Sequence, residues 1–116
     1  MTPFKSRQPE PLTEAAFYIL LSLAAGPKHG YAILKEVESL SQGRILFSTG
    51  TLYGGLKRFL QRDWIRRVGG KGKDESGRPR KEYTLTDTGR RILQAEVARM
   101  QTLIRAARIR SAPEAR

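Results

Sequence analysis

With 116 residues the chain has room for one domain and one small core. It contains no cysteine, which excludes a disulfide framework, a thiolate nucleophile and a thiolate metal site, and which fits a reducing cytoplasm. Against 11 acidic residues stand 22 basic ones, a formal net charge of +11 that suits a protein seeking a polyanion, nucleic acid above all.

Residues 1–11 carry three prolines and read as a disordered arm. Thr13 is placed to cap a helix that runs to about Ala25 and stops at Gly26-Pro27. Ala15, Ala16, Ile19, Leu20 and Leu23 form one apolar face of that helix, and Phe17, Leu21 and Ala24 a second. So wide an apolar arc asks for burial on two sides, the second against another copy of the chain. The apolar run of residues 15–25 is too short to span a bilayer, and no basic signal precedes it.

The spacing of Ile33, Leu34, Val37 and Leu40 predicts a second helix from about His29 to Ser41, ended by Gly43. Arg44 to Phe47 is a short apolar run read as a strand. Ser48 then caps a third helix, whose core face is Leu52, Leu56, Phe59 and Leu60. At about 100° per residue its opposite face is centred on Gly50, Gly54 and Gln61, with Thr51 and Arg58 beside them. Two adjacent interior glycines should weaken this helix. The projection separates them: Gly54 lies on the outward face, where a bare backbone can come close to a ligand, and Gly55 lies at the core edge, where it admits a neighbouring helix.

Trp64–Val68 and Arg80–Leu85 read as the strands of a hairpin, with Gly69 to Pro79 as its long, flexible, basic tip. Residues 57–81 hold ten basic and three acidic side chains, so the positive charge is concentrated there. Thr86 caps a last helix, with Asp87 in its first turn, that runs to about Arg110. Along it Leu93, Val97, Met100, Ile104 and Ala107 alternate spacings of four and three, the pattern of a coiled-coil seam. Residues 111–116 form a flexible tail. The order of elements is that of a mainly α protein with a small β-wing, a winged helix-turn-helix with an appended C-terminal dimerisation helix. Residues 12–86 make the DNA-binding domain and 87–110 the dimerisation helix.

Residues that reach nucleic acid are expected at the start and outward face of the third helix and on the wing. They are Ser48, Thr49, Thr51, Tyr53, Gly54, Lys57 and Arg58, then Lys71, Lys73, Arg78 and Arg80. Hydroxyls and amides at a helix start donate to phosphate, and Lys or Arg a turn further can also reach guanine edges. Phe17, Leu21, Leu93, Val97, Met100, Ile104 and Ala107 are expected at a dimer interface. His29 is the only histidine, so it suits a turn and helix start rather than a metal site. No metal, cofactor or catalytic set is called for. Gly69-Gly70-Lys71-Gly72-Lys73 lacks both the spacing and the following helix of a phosphate loop.

Three segments resemble the PadR family of bacterial transcriptional regulators, specifically its short-tailed branch. They are His29-Gly30-Tyr31-Ala32-Ile33, Ser48-Thr49-Gly50-Thr51-Leu52-Tyr53, and the run from Gly77 through Arg78-Pro79-Arg80-Lys81-Glu82-Tyr83-Thr84-Leu85-Thr86-Asp87-Thr88 to Gly89. With their spacing they cover roughly residues 12 to 105. The resemblance implies a homodimer held by the first and last helices, a third helix in the DNA major groove, and repression of nearby genes. It places Tyr53 and the threonines before it in the recognition helix, and Lys71, Lys73, Arg78 and Arg80 in the wing. Gly54 stands where the family usually has a proline, and Asp63 where it commonly has a glycine.

The function expected is thus a sequence-specific DNA-binding regulator, a cytoplasmic homodimeric repressor acting on a near-palindromic operator and not an enzyme. Two other readings share the architecture. One is a module for RNA or for a protein of the transcription machinery; the other is a sensor with a small-molecule effector resting on Phe17, Tyr18 or Phe4.

Overall fold

The computed structural model describes residues 10–73 and 77–111, without the side chains of Lys71 and Pro79. In chain order it forms α1 (Glu14–Ala24), β1 (Lys28–His29), α2 (Gly30–Leu40), α3 (Thr49–Gln61), β2 (Ile65–Lys73), β3 (Pro79–Leu85) and α4 (Asp87–Ser111). The expectations for the arm before Glu10, Phe4 included, and for the tail beyond Ser111 lie outside the described residues.

Each helix begins on a side chain that accepts an amide its first turn would leave unpaired. Thr13 Oγ1 accepts from Ala16 N at 3.0 Å, Ser48 Oγ from Thr51 N at 3.1 Å and Thr86 Oγ1 from Gly89 N at 3.0 Å, as the sequence leads one to expect. For α2 the cap is an imidazole, His29 Nδ1 accepting from Ala32 N at 3.3 Å. At their C-termini α2 and α3 close in the same way. Gly43 N–H reaches back to Glu38 O and Trp64 N–H to Phe59 O, at 2.8 and 2.9 Å. That closure turns Gln42 and Asp63 left-handed, at φ 55° and 59°. Asp63 thus adopts a left-handed conformation at the 1–2 kcal/mol or so that such a backbone costs an L-residue.

The core lies where the four helices meet the sheet. Ile19, Leu20 and Leu23 of α1 pack with Ile33 and Val37 of α2, Leu52, Leu56 and Phe59 of α3, Ile65 of β2, and Tyr83 and Leu85 of β3. Leu93 joins them at 6% exposure. The seam reading gives Leu93 to a partner helix, but the first turns of α4 pack on this chain's own α1, which covers it. Glu96, one turn on, is also buried. Its carboxylate accepts from Leu12 N at 3.3 Å and from Arg99 Nε and Nη2 at 2.8 and 2.6 Å. These bonds, chiefly from Arg99, hold its carboxyl below the usual range against the opposing effect of burial.

Two local expectations are corrected. Arg44–Phe47 is not a strand: Arg44 N–H donates to Ser41 O and Ile45 N–H to Ser41 Oγ, so its amides are taken by the end of α2. The third strand is instead β1, paired antiparallel with β3, in the sheet order β1-β3-β2. The wing is also ordered further than a loop from Gly69 to Pro79 would be. β2 continues to Lys73, opposite Pro79, through an irregularity after Gly69. At that irregularity Gly70 lies directly under the Arg80 carbonyl, with no room for a Cβ.

Gly55 is buried but not required for close packing. A Cβ there would sit 3.8 Å from Ile19 Cδ1, an ordinary van der Waals contact. Gly55→Ala should therefore stabilise the fold by about 1 kcal/mol through helix propensity, a rise of roughly 4 °C in the thermal midpoint. A lowered midpoint would show that the α1–α3 interface has no such room.

Candidate nucleic-acid interface

The structure sorts the expected contact residues of α3 by face. Outward lie Gly50 and Gly54, where an added Cβ would meet no atom within 4 Å, and the exposed Lys57. Thr51 and Arg58 flank the other side, lining a hollow of about 320 Å³ with Pro11 to Thr13, Arg62 and Trp64. Thr49 and Tyr53 flank the side that faces the wing. Ser48 is committed to its cap, and its hydroxyl also donates to Thr51 Oγ1 at 2.9 Å. α3 therefore presents a ridge of bare backbone between two walls of polar side chains.

Tyr53 is 45% exposed. Its phenol rests on Gly30 so closely that a Cβ at Gly30 would collide with it. The pair sits at the mouth of a cleft of about 910 Å³ between the start of α2, the start of α3 and the wing. Into this cleft also project His29, Tyr31, Arg67, Arg80, Lys81 and Tyr83. Tyr83 is opposite Arg67 across the β2–β3 ribbon. Burial pushes its hydroxyl above the ordinary range, against the pull of the Arg67 guanidinium hydrogen-bonded to it, so it stays neutral. The walls are cationic and aromatic, suited to an anion with flat or sugar-like neighbours.

Of the expected wing residues, Arg80 lines the cleft, Lys73 and Arg78 lie exposed at the far end of the ribbon, and Lys71 is within β2. The sequence alone does not single out Tyr31, Arg67, Lys81 or Tyr83 as site residues, and it gives His29 a turn and helix start, the position from which it caps α2. The available signal was the hairpin register, which sets Arg67 opposite Tyr83. Along α4, Val97 is 36% and Ile104 50% exposed, Ala107 is exposed and Met100 half-buried. Phe17 and Leu21 of α1 are half-buried, and the Phe17 ring meets Tyr18 edge-on at 6.0 Å. Among the described residues no group of three His, Cys, Asp or Glu could hold a metal ion, and no helix is long and apolar enough to cross a membrane.

Residues 19–95 match the family model described as the transcriptional regulator PadR-like family. A 37.1 kDa uncharacterised protein of transposon TN4556 from Streptomyces fradiae is 37% identical over 90 residues, 78% of this chain. The chain spans only about a quarter, 24%, of that relative's length. Solved structures of similar fold include a PadR family regulator from Eggerthella lenta, at 26% identity and TM-score 0.62, covering 85% of this chain and 86% of that one. A PadR-like regulator from Bacillus cereus gives TM-score 0.68 at 19% identity, over 86% and 93% of the two chains. Bacillus subtilis PadR, solved in complex with operator DNA, gives 0.60 at 23%, over 71% and 45%.

Proposed function

The chain belongs to the PadR-like family of transcriptional regulators, and on that premise we propose that it binds operator DNA in the cytoplasm as a homodimeric repressor. The observation that carries this reading is the outward face of α3. Gly50 and Gly54 leave its backbone bare, Lys57 lies beside them, and the basic ribbon of β2 and β3 stands next to it. A helix so stripped can sink into a major groove while the wing follows the neighbouring backbone. The operator complex solved for B. subtilis PadR supports the same use of this fold. Residues 12–86 form the DNA-binding unit, and the exposed half of α4 pairs with a second copy. Two recognition helices then meet half-sites about 34–36 Å apart, or a multiple of that spacing.

Fluorescence anisotropy with duplexes from the region upstream of the chain's own gene tests the proposal. One of them should bind at least about 10³-fold more tightly than scrambled duplex at physiological salt, with affinity falling steeply as salt rises. Lys57→Ala should weaken that binding by about tenfold. Equal affinity for scrambled DNA, or preference for RNA of the same sequence, would remove the operator reading.

A further inference from the structure

The cleft beside the wing holds a contact that the protein alone leaves unsatisfied, and we infer that His29 and Arg80 together grip one backbone phosphate of the bound duplex. The inference rests on the reading of the chain as a DNA binder and adds His29 to its contact residues. His29 Nδ1 accepts the Ala32 amide at 3.3 Å, so the proton of the neutral ring is on Nε2. That nitrogen is 3.1 Å from Arg80 Nη1, and a guanidinium has only donors to offer. Two N–H groups therefore face each other.

The other tautomer lets Nε2 accept from Arg80 only by setting the Nδ1 proton against the Ala32 amide, which α2 fixes in place, so either way one N–H is left facing a donor. What satisfies both donors is an oxygen lone pair beside them, and an anionic oxygen most of all. The surroundings favour an anion. Arg67 and Lys81 line the same cleft, and no carboxylate is among its lining residues. The carboxylate next along the strand, Glu82, lies over Gly70 instead. The cleft also opens between α3 and the ribbon, where a phosphate strand must run if α3 occupies one groove and the wing the next.

His29→Asn keeps a good cap and removes the outward N–H. Thermal stability should be unchanged, and operator affinity should fall about tenfold, the loss of one hydrogen bond to a charged acceptor. The dependence of affinity on salt should not change, because no charge is lost. Arg80→Gln, which leaves the cap intact, should weaken binding and reduce the slope of log affinity against log salt by about 0.9. A scan of duplexes with single methylphosphonate linkages identifies the phosphate: at one linkage per half-site both variants should bind as the wild type does. Undiminished binding by a stable Asn variant, or a deficit of both variants that persists at every substituted linkage, overturns the clamp and leaves DNA binding standing. Should the Asn variant be unstable, His29→Ser, which also caps a helix and has no outward N–H, takes its place in the scan. A wild-type chain without preference for any duplex refutes the underlying reading instead.

Discussion

Gly89→Ala should lower stability by about 3 kcal/mol and the thermal midpoint by roughly 10–15 °C. On propensity alone the change would strengthen α4. The tertiary structure reverses the sign, because a Cβ at Gly89 would run into the Trp64 carbonyl. Neither segment can move aside cheaply. Thr86 N–H donates to Trp64 O at 3.0 Å, Thr86 Oγ1 donates to Asp63 O at 2.5 Å, and the same hydroxyl oxygen accepts from Gly89 N. The start of α4 is thus bonded to the turn that closes α3, and the contact sets how the long helix leaves the winged unit. Differential scanning calorimetry beside Gly55→Ala makes the comparison: two helical Gly→Ala changes should shift the midpoint in opposite directions. A rise at Gly89 would mean that the α3–β2 turn can yield.

The double substitution Val97→Glu with Ile104→Glu should convert the protein to monomers and weaken operator binding by about 100-fold or more. Both positions are substantially exposed in the single chain, at 36% and 50%, so the monomer's own core is untouched. The 25 residues of α4 make a rod of about 37 Å, yet its buried residues are Gly89, Leu93 and Glu96, all in the first half. The second half carries the half-buried Met100 and the exposed Ile104 and Ala107 on one stripe. Pairing that stripe with its copy buries it, whereas facing carboxylates would leave charges in an apolar seam. Affinity falls because linked half-sites act at a high effective concentration that separated ones lack. Light scattering reads the mass and anisotropy the binding; an intact dimer with unchanged affinity would refute the seam.

Much of this molecule is legible in its residues because the signals are local. Thr13, Ser48 and Thr86 announce helix starts by their own side-chain chemistry, and the spacing of Leu52, Leu56 and Phe59 defines the core face of α3 without reference to any other element. Gly54 could be placed outward from the helical period alone. The misses occur where the decision belongs to a distant partner. Arg44–Phe47 is as apolar as many strands, but strand formation needs a free edge, and Lys28–His29 occupies the edge of β3 while Ser41 takes the Arg44 and Ile45 amides. Leu93 fits the seam by spacing, and only the crossing of α1 over α4 assigns it to the core.

The glycines mark the same division. Sequence periodicity determined which side of α3 Gly54 and Gly55 occupy, because that depends only on the helical repeat. Whether the bare Cα is needed was decided by tertiary packing, because it depends on which atom of another element stands within a Cβ's reach. Around Gly55 that atom is a methyl group at ordinary contact distance; at Gly30 it is the Tyr53 phenol, and at Gly89 a backbone carbonyl. The sequence likewise determined a basic wing and a capped α3. Only the fold, by pairing β1 with β3, brought His29 and Arg80 to within 3.1 Å and made two distant residues one candidate site.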